Sequence, residues 1–597
     1  MQASFEVPGR ALALTVLAAT SCFAQHPWKG YSILGNGHVT AVYSDDSRIA
    51  GGKGIRHLYF KDYTADYVAS TSFEVAGAEA GPSEIGMKNF FTAQTRTPSQ
   101  QVLCFVHPGD AVVLSLRKTG AKAARPYRFQ AHLQKDMKSL QTAGNVAIAV
   151  WSNGTALAIA PKAAQAQVAV SGSSIMVKGN MMEQAEILLI PASSRDKALS
   201  KVRALRRDPD LAATATGYWE KWMNAGILPT KVPAAYLEAY KRNLYCVKAA
   251  NLNGQIPADI TGQFVTNNMP QLYPRDAMMC ARVLLLTGHP REAKQVIEFW
   301  TNRKIPMKTP GEWYARYDAH GKAVDAGSGA RFDEPEWDAN GYFIYLLAKY
   351  HESQGVWLAD RNLIYQLADF LVHHLSENGL LEEGGIVEWT GYLPATNMIC
   401  ATALQTASSM AHEFGEDARA QTYAAASRKI TAALPEMFDP IRQTYADVRF
   451  TGRKGAGGES LPGHSGEKAY LWDTTANVGP IWGYPKHREI ELSNAFYEKN
   501  TIKLDGGLQY FDTTDPELAT YGHAVFFFTT AAASQVQSLY GNRAAAKSYI
   551  DWMIRNANVY GLMPERIFLD DSDCSPATPL SWCCAEFAAA LLAWSRI

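Results

Sequence analysis

Tyr273-Pro274-Arg275-Asp276-Ala277-Met278-Met279-Cys280-Ala281-Arg282-Val283-Leu284-Leu285-Leu286 is the stretch on which the reading of this chain turns. The apolar residues after Asp276 run on without strand-like alternation, and the spacing predicts a helix over Asp276–Leu286. Asp276 falls in its first turn, where the helix dipole favours an acid. A permanent cation and a carboxylate therefore open an apolar helix. Such a pair is costly to bury, and it is well suited to holding a polyhydroxylated ligand.

Downstream of this stretch the helical period persists. It predicts helices over Glu292–Thr301, Gly341–Glu352, Leu358–Leu375, Ala395–Glu413, Ala418–Met437, Tyr521–Tyr540, Arg543–Asn556 and Ser581–Trp594. Two more are expected near Thr474 and over Glu489–Glu498, and one precedes the opening stretch at Ala234–Asn251. Roughly twelve helices joined by alternating short and long connections fit hairpins arranged in a ring, an (α/α)6 barrel. In that arrangement the long loops gather at one end, and chemistry is expected on them and on the helical turns that follow.

Upstream, from about Tyr31 to Ala192, the period is that of strands. His38–Tyr43, Gln101–Val106, Ala111–Leu116, Ile148–Trp151 and Ala185–Ile190 are β-branched or alternating runs punctuated by Gly, Pro, Asn and Asp. They predict a large antiparallel β-sandwich. Asp196–Arg207 reads as a helix, and Tyr218–Trp222 as an aromatic connector. The expected organisation is a multidomain β + α chain: a leader over 1–24, a super-β-sandwich over 25–195, a helical linker over 196–232 and a six-hairpin barrel over 233–597.

The leader is read from Arg10, the apolar run Ala11–Ala19 and the small residues ending at Ala24. It implies an exported protein, periplasmic or secreted. A lipid anchor at Cys22 is the weaker alternative. No later stretch is apolar for the roughly 18–20 residues that a membrane span needs. The chain has 57 basic and 57 acidic residues, which gives no electrostatic reason for a nucleic-acid partner. Cysteines occur without CxxC or Cys/His spacing, so neither metal nor other cofactor is implied. A Cys574 bridge to Cys583 or Cys584 stays open.

Six loop segments of the helical half carry a carboxylate close to an aromatic or arginine, or open the last helix. They are Tyr273–Asp276, Trp313–Tyr317, Glu334–Asp338, Glu382–Trp389, Leu562–Arg566 and Pro579–Trp582. From about Tyr218 to the C-terminus their order and spacing resemble the glucoamylase family, the inverting glycosidases of glycoside hydrolase family 15. Over the β-half the resemblance, to bacterial members and to related disaccharide phosphorylases, is one of layout only. Tyr273-Pro274-Arg275-Asp276 resembles the family's Trp-x-Arg-Asp, which implies that Arg275 and Asp276 hold a terminal glucose. Val387-Glu388-Trp389 resembles the segment of the general acid. Met563-Pro564-Glu565, with Leu580-Ser581-Trp582 behind it, resembles that of the general base. Gly506-Gly507-Leu508-Gln509-Tyr510 resembles the lining of the leaving-group side.

The chemistry agrees with these roles. Acetal hydrolysis with inversion needs an acid for the leaving oxygen and, across the sugar, a base to activate water, with the carboxyls about 6.5–9.5 Å apart. Glu388 is the candidate acid, with Ile386 and Trp389 available to desolvate it. Glu565 is the candidate base, beside Arg566. Tyr273, Arg275, Asp276, Trp337, Asp338, Trp389, Gln509 and Trp582 are the candidate sugar-binding residues. Asp338 also reads as the N-cap of the next helix. Arg275 with Asp276 also reads as a structural ion pair.

Gln509, Val525 and Arg566 replace the family's Arg, Trp and Gln, and Tyr273 its Trp. The leaving-group side is therefore altered, and starch-type chains are in doubt. The expectation is an exo-acting inverting α-glucosidase acting on an oligosaccharide or disaccharide. A disaccharide phosphorylase, a hydrolase of another glycan such as a uronide, and a non-catalytic sugar-binding protein remain as alternatives.

Overall fold

The computed structural model describes residues 27–49, 53–76, 83–119, 124–266, 268–302, 305–324, 336–386, 389–451, 465–470, 478–510, 524–570 and 572–597; for 383–386, 389 and 390 only the backbone is described. The leader expected over 1–24 and the helix expected near Thr474 lie outside these residues.

Three antiparallel sheets form the N-terminal region. The largest has eight strands, in the order Met137–Thr142, Ala147–Trp151, Ala156–Pro161, Gln184–Ala192, Ala111–Lys118, Gln100–His107, Thr92–Arg96 and Glu84–Asn89. A second orders Gln167–Ser171, Ser174–Met181, Arg125–Leu133 and Val68–Val75. The third takes Ser32–Gly35, Val39–Ser44, Gly54–Phe60 and Asp62–Asp66 in chain order. Arg125–Leu133 alternates buried and open positions, as expected of a strand with one solvated face. Ala156–Pro161 is buried at every position. It lies in the eight-stranded sheet, which packs on the other two, and helix α1 (Arg195–Arg207) covers its outer side.

Ser194 caps α1 by accepting the Lys197 N–H, and Asp196 and Arg206 sit at the ends that the helix dipole favours. α2 (Leu211–Ala225) corrects the connector expected at Tyr218–Trp222. Asp210 caps it through the Ala213 N–H at 2.9 Å, and Leu211, Ala215, Trp219 and Met223 form a buried stripe with a spacing of four. The aromatic pairs flanking that stripe mask its period in the sequence.

Among the described residues the remaining helices are α3 (Ala234–Ala250), α4 (Pro274–Leu286), α5 (Pro290–Trp300), α6 (Asp338–Gln354), α7 (Arg361–His373), α8 (Pro394–Glu413), α9 (Asp417–Ala433), α10 (Arg488–Thr501), α11 (Phe527–Leu539), α12 (Arg543–Arg555) and α13 (Ser581–Ser595). Pro274, Pro290 and Pro394 each occupy the first helical turn, where a fixed φ and a missing N–H cost nothing. α13 packs on α4, α4 on α6, and α6 on α8; the 3-10 turn Gly479–Trp482 links α8 to α11, which returns to α13. α5, α9 and α12 lie against α4, α8 and α11, and α3 lies against α13. α11 and α13 are buried on every face, whereas α5 buries one stripe, Ala293, Val296, Ile297 and Trp300, as an outer helix does. The expected helix Tyr521–Tyr540 begins instead at Phe527, preceded by a short strand, Ala524–Phe526.

Two sets of contacts fix the direction of the inner helices. At their starts, Arg275 of α4 meets Asp338 of α6, and the Glu565 carbonyl accepts the Phe527 N–H of α11. About two turns further on, the Arg282 guanidinium donates to Gln535 of α11 at 2.9 Å and to Glu586 of α13 at 2.9 Å. α4, α11 and α13 therefore run the same way, and the loops that feed them share one end.

The β-region and the helices share one continuous core. α3 lies against the first strands, where the Gly35 N–H donates to the Tyr245 hydroxyl at 3.1 Å and Thr40 donates to the Ala249 carbonyl at 2.6 Å. A Cβ at Gly35 would stand 2.4 Å from that carbonyl, so only glycine allows the approach. Cys574, Cys583 and Cys584 are free and buried. Among the described residues, no helix is long and apolar enough to cross a membrane.

Candidate active site

Arg275 occupies the first turn of α4 and is buried. Its Nε and Nη2 donate to the two oxygens of Asp338 at 2.6 and 3.0 Å. That is a bidentate pair, the geometry that best fixes a guanidinium. The partner is thus not the sequence neighbour Asp276 but the first residue of α6, itself only 1% exposed. Asp338 was expected to cap α6 or to bind sugar; it is the first residue of the helix and not its cap, and both its oxygens accept from Arg275.

Asp276 and Glu336 both lie near enough to Arg275 to feel its charge. Burial pushes the Asp276 carboxyl up to about 7; Arg275 pulls the other way, and Glu336 and Glu565 add to the rise. Burial likewise lifts Glu336 to about 7, opposed by Arg275 and reinforced by Asp338. Glu336 Oε2 lies 3.6 Å from Arg275 Nη2. Burial is the first cause of the rise at Asp276, Glu336 and Glu565 alike; the like charge that adds to it is Glu336 and Glu565 for Asp276, Asp338 for Glu336 and Asp259 for Glu565. Tyr273 stands at the edge of this cluster. The Arg316 guanidinium lies 5.4 Å from the centre of its ring, and its hydroxyl donates to Gln271 at 2.8 Å.

Glu565 is 5% exposed and immediately precedes the strand Arg566–Phe568. Gln263 donates to its Oε2 at 2.7 Å and Arg566 to the same oxygen at 2.5 Å. Burial raises its pKa against the opposing pull of Arg566 and Gln263. The Arg566 effect anticipated from the sequence is therefore present but outweighed. Gln263 is held by a turn built on Asp259, whose carboxylate accepts the N–H groups of Thr261, Gly262 and Gln263 at 2.7–2.9 Å. The Ser581 N–H at the start of α13 donates to the Ala258 carbonyl, tying this turn to the last helix.

The other expected sugar-binding residues divide. Gln509 is buried in the strand Gly507–Gln509, paired with Val525, and the neighbouring Phe526 pairs with Arg566, so it lies two strands from the Glu565 segment. Trp582 is half-buried at the start of α13, with its ring stacked on Phe528 at 4.4 Å. Trp337 is buried. Its ring meets Phe370 and His374 at 5.4 and 4.9 Å, and its Nε1 donates to Glu312. Trp389 pairs with Ile386 through the backbone, and its side chain lies outside the described set. Glu388 also lies outside the described residues. The strand before it, Glu382–Ile386, is anchored at its start: the Asn397 side chain of α8 accepts from the Leu381 N–H and donates to its carbonyl, at 2.8 and 3.0 Å.

Sequence reasoning missed Gln263, Asp259 and Glu336. Glu336 lay inside the segment Glu334–Asp338, but spacing does not tell which of its acids is buried. Gln263 and Asp259 belong to a polar loop without periodicity, and only its fold brings them to Glu565.

No family model matches the chain, and neither does any curated protein. Solved structures do match. A bacterial glucoamylase complexed with acarbose superposes with a TM-score of 0.71 at 13% identity, covering 96% of this chain and 95% of that one. A protein from the human microbiome assigned as a kojibiose phosphorylase superposes with a TM-score of 0.52 at 10% identity, covering 94% and 86%. The chain therefore has a glucoamylase-like fold along nearly its whole length.

Proposed function

We propose that this protein is an exported, exo-acting inverting α-glucosidase that removes terminal glucose from an α-gluco-oligosaccharide or disaccharide. We read the cyclic order of its inner helices as an (α/α)6 barrel over 233–597, following a β-sandwich over 25–195 and a linker over 196–232. The observation that carries the reading is the buried Glu565, held by Gln263 and Arg566 and close enough to Asp276 to raise the pKa of that carboxyl. Glu565 is the general base. Gln263 and Arg566 donate to its Oε2 and Ser575 also bonds the carboxyl, which fixes the base in place for the attacking water. Glu388, on the segment before α8, is the general acid. Arg275 and Asp276 hold the terminal sugar, with Tyr273 and Trp582 at its edges and Gln509 and Trp389 toward the leaving group.

Inversion follows when water attacks the anomeric carbon from the Glu565 side while Glu388 protonates the departing oxygen on the other. Burial that raises the Glu565 pKa strengthens it as a base, as long as the pH stays above that pKa. A phosphorylase shares the fold, so phosphate belongs in the test.

The experiment incubates the chain with glucose disaccharides of each α-linkage, with and without phosphate, and follows the released anomer by NMR. The expected product is β-glucose, independent of phosphate. Glu565→Gln and Glu388→Gln should each lower kcat by about a thousandfold or more while leaving thermal unfolding unchanged. Release of α-glucose, or of glucose 1-phosphate, overturns the assignment.

A further inference from the structure

Glu336 lies one residue before Trp337 at the head of α6, and its side chain is 5% exposed. Its Oε2 is buried and accepts no hydrogen bond. The Arg275 Nη2 at 3.6 Å makes an ion contact with it that is too long to be a hydrogen bond. Asp338 already takes Nε and Nη2 of the same guanidinium in a bidentate pair, so Arg275 does not need Glu336 as its counter-ion. Buried polar oxygens nearly always have a hydrogen-bond partner. A carboxyl oxygen left without one, among Arg275, Arg316, Asp276 and Asp338, marks a place where the partner comes from outside the chain.

We propose that Glu336 contacts the terminal sugar directly and selects it through one hydroxyl group, which supplies the hydrogen bond that Oε2 does not find within the protein. The inference rests on the glycosidase reading above and adds a specificity-determining residue to it. Either protonation state serves, because a carboxylate accepts from a hydroxyl and a carboxylic acid donates to one. A sugar with the wrong configuration or a missing hydroxyl at that carbon would leave the oxygen buried and unpaired, and selection against it follows from that loss.

The test measures kcat/KM for the wild-type chain, Glu336→Gln and Glu336→Leu. The substrates are the disaccharide turned over fastest in the panel and its analogues deoxygenated singly at C3, C4 and C6 of the terminal sugar. In the wild type, one of the three deletions should cost about 10- to 100-fold, as expected for a hydrogen bond to a charged group. In Glu336→Leu that one penalty should shrink to within about threefold while the other two persist. Glu336→Gln should keep part of it, because the amide still bonds a hydroxyl. A merely structural Glu336 predicts that all three penalties persist in both variants, with a uniform fall in kcat or a lower Tm, and that result overturns the proposal. If Glu336→Leu does not fold, Glu336→Gln decides: an unchanged set of penalties at unchanged Tm sinks the idea, and selective weakening of one supports it. A wild-type chain that neither binds nor cleaves any sugar of the panel defeats the glycosidase reading itself, and this proposal with it. An active wild type whose variants keep every penalty defeats this proposal alone.

Discussion

Asp276 shows how much a single residue depends on its surroundings. Its ordinary pKa of 3.8 is pushed to about 7, first by burial and then by Glu336 and Glu565, against the pull of Arg275. Between those two values the folded chain holds a proton that the unfolded chain has released. Stability therefore falls as pH rises through that window, by at most about 1.4 kcal/mol per pH unit for this group. Asp276→Asn removes the dependence. Its unfolding free energy relative to wild type should improve from pH 5 to pH 8, measured by urea titration at both. An equal difference at the two pH values would contradict the burial argument. The same residue also separates what the sequence said from what it could not. Its place in the first turn of α4 was legible from Pro274 and the apolar run behind it. Its neighbours were not, because Glu336 and Glu565 are far away in the chain.

The inner helices are held together by a buried polar network as well as by apolar packing. Arg282 of α4 donates to both oxygens of Glu586 in α13 and to Gln535 in α11, and Gln535 donates to Glu586 at 2.5 Å. The guanidinium also lies over the Trp482 ring at 5.0 Å, so it touches the 3-10 turn that completes the inner circuit. Arg282→Met leaves Glu586 buried without its cation, and breaking such a pair from one side costs about 3–5 kcal/mol. The double variant Arg282→Met/Glu586→Leu removes both charges and should recover most of that loss in a denaturant titration. A double variant no more stable than the single one would show that the network does more than neutralise itself. At this scale the sequence was a good guide. Most helices lie within a few residues of where the apolar period put them, because one buried face repeats every three to four residues whatever it packs against. α2 escaped because the aromatics beside its stripe, Tyr218 and Trp222, look apolar but are only partly covered.

Across the whole molecule, the strands and the helices are not independent bodies joined by a tether. Tyr245 of α3 packs edge-on to Trp219 of α2 and to Phe90 and Phe91 of the β-region, within a core that continues into the inner helices. The C-terminal side also reaches back: the Tyr560 hydroxyl accepts from the Asp45 N–H at 2.9 Å, and the Thr578 carbonyl accepts from the Tyr31 N–H at 2.9 Å. Residues 233–597 expressed alone would expose the side of α3 that the strands cover, a large apolar patch of the kind that drives aggregation. The expected outcome is an insoluble or molten product, with recovery when 25–232 are co-expressed. A soluble, cooperatively unfolding 233–597 would refute the shared-core view. The segment that carries Glu565 is positioned from Tyr31 and Asp45 through these same bonds, so loosening the interface should also disturb the candidate site.

The sequence alone determined the succession of a strand-rich half and a helical half, the order of the chemical segments and the identity of Glu565 as a carboxylate set before the last helix. Those features are periodic or local, so each is written in residues close together in the chain. Tertiary structure alone decided that Arg275 pairs with Asp338, that Glu336 is buried, that Trp337 packs inward and that Gln263 holds Glu565. Each joins segments distant in sequence, and desolvation and ion pairing act on what is near in space.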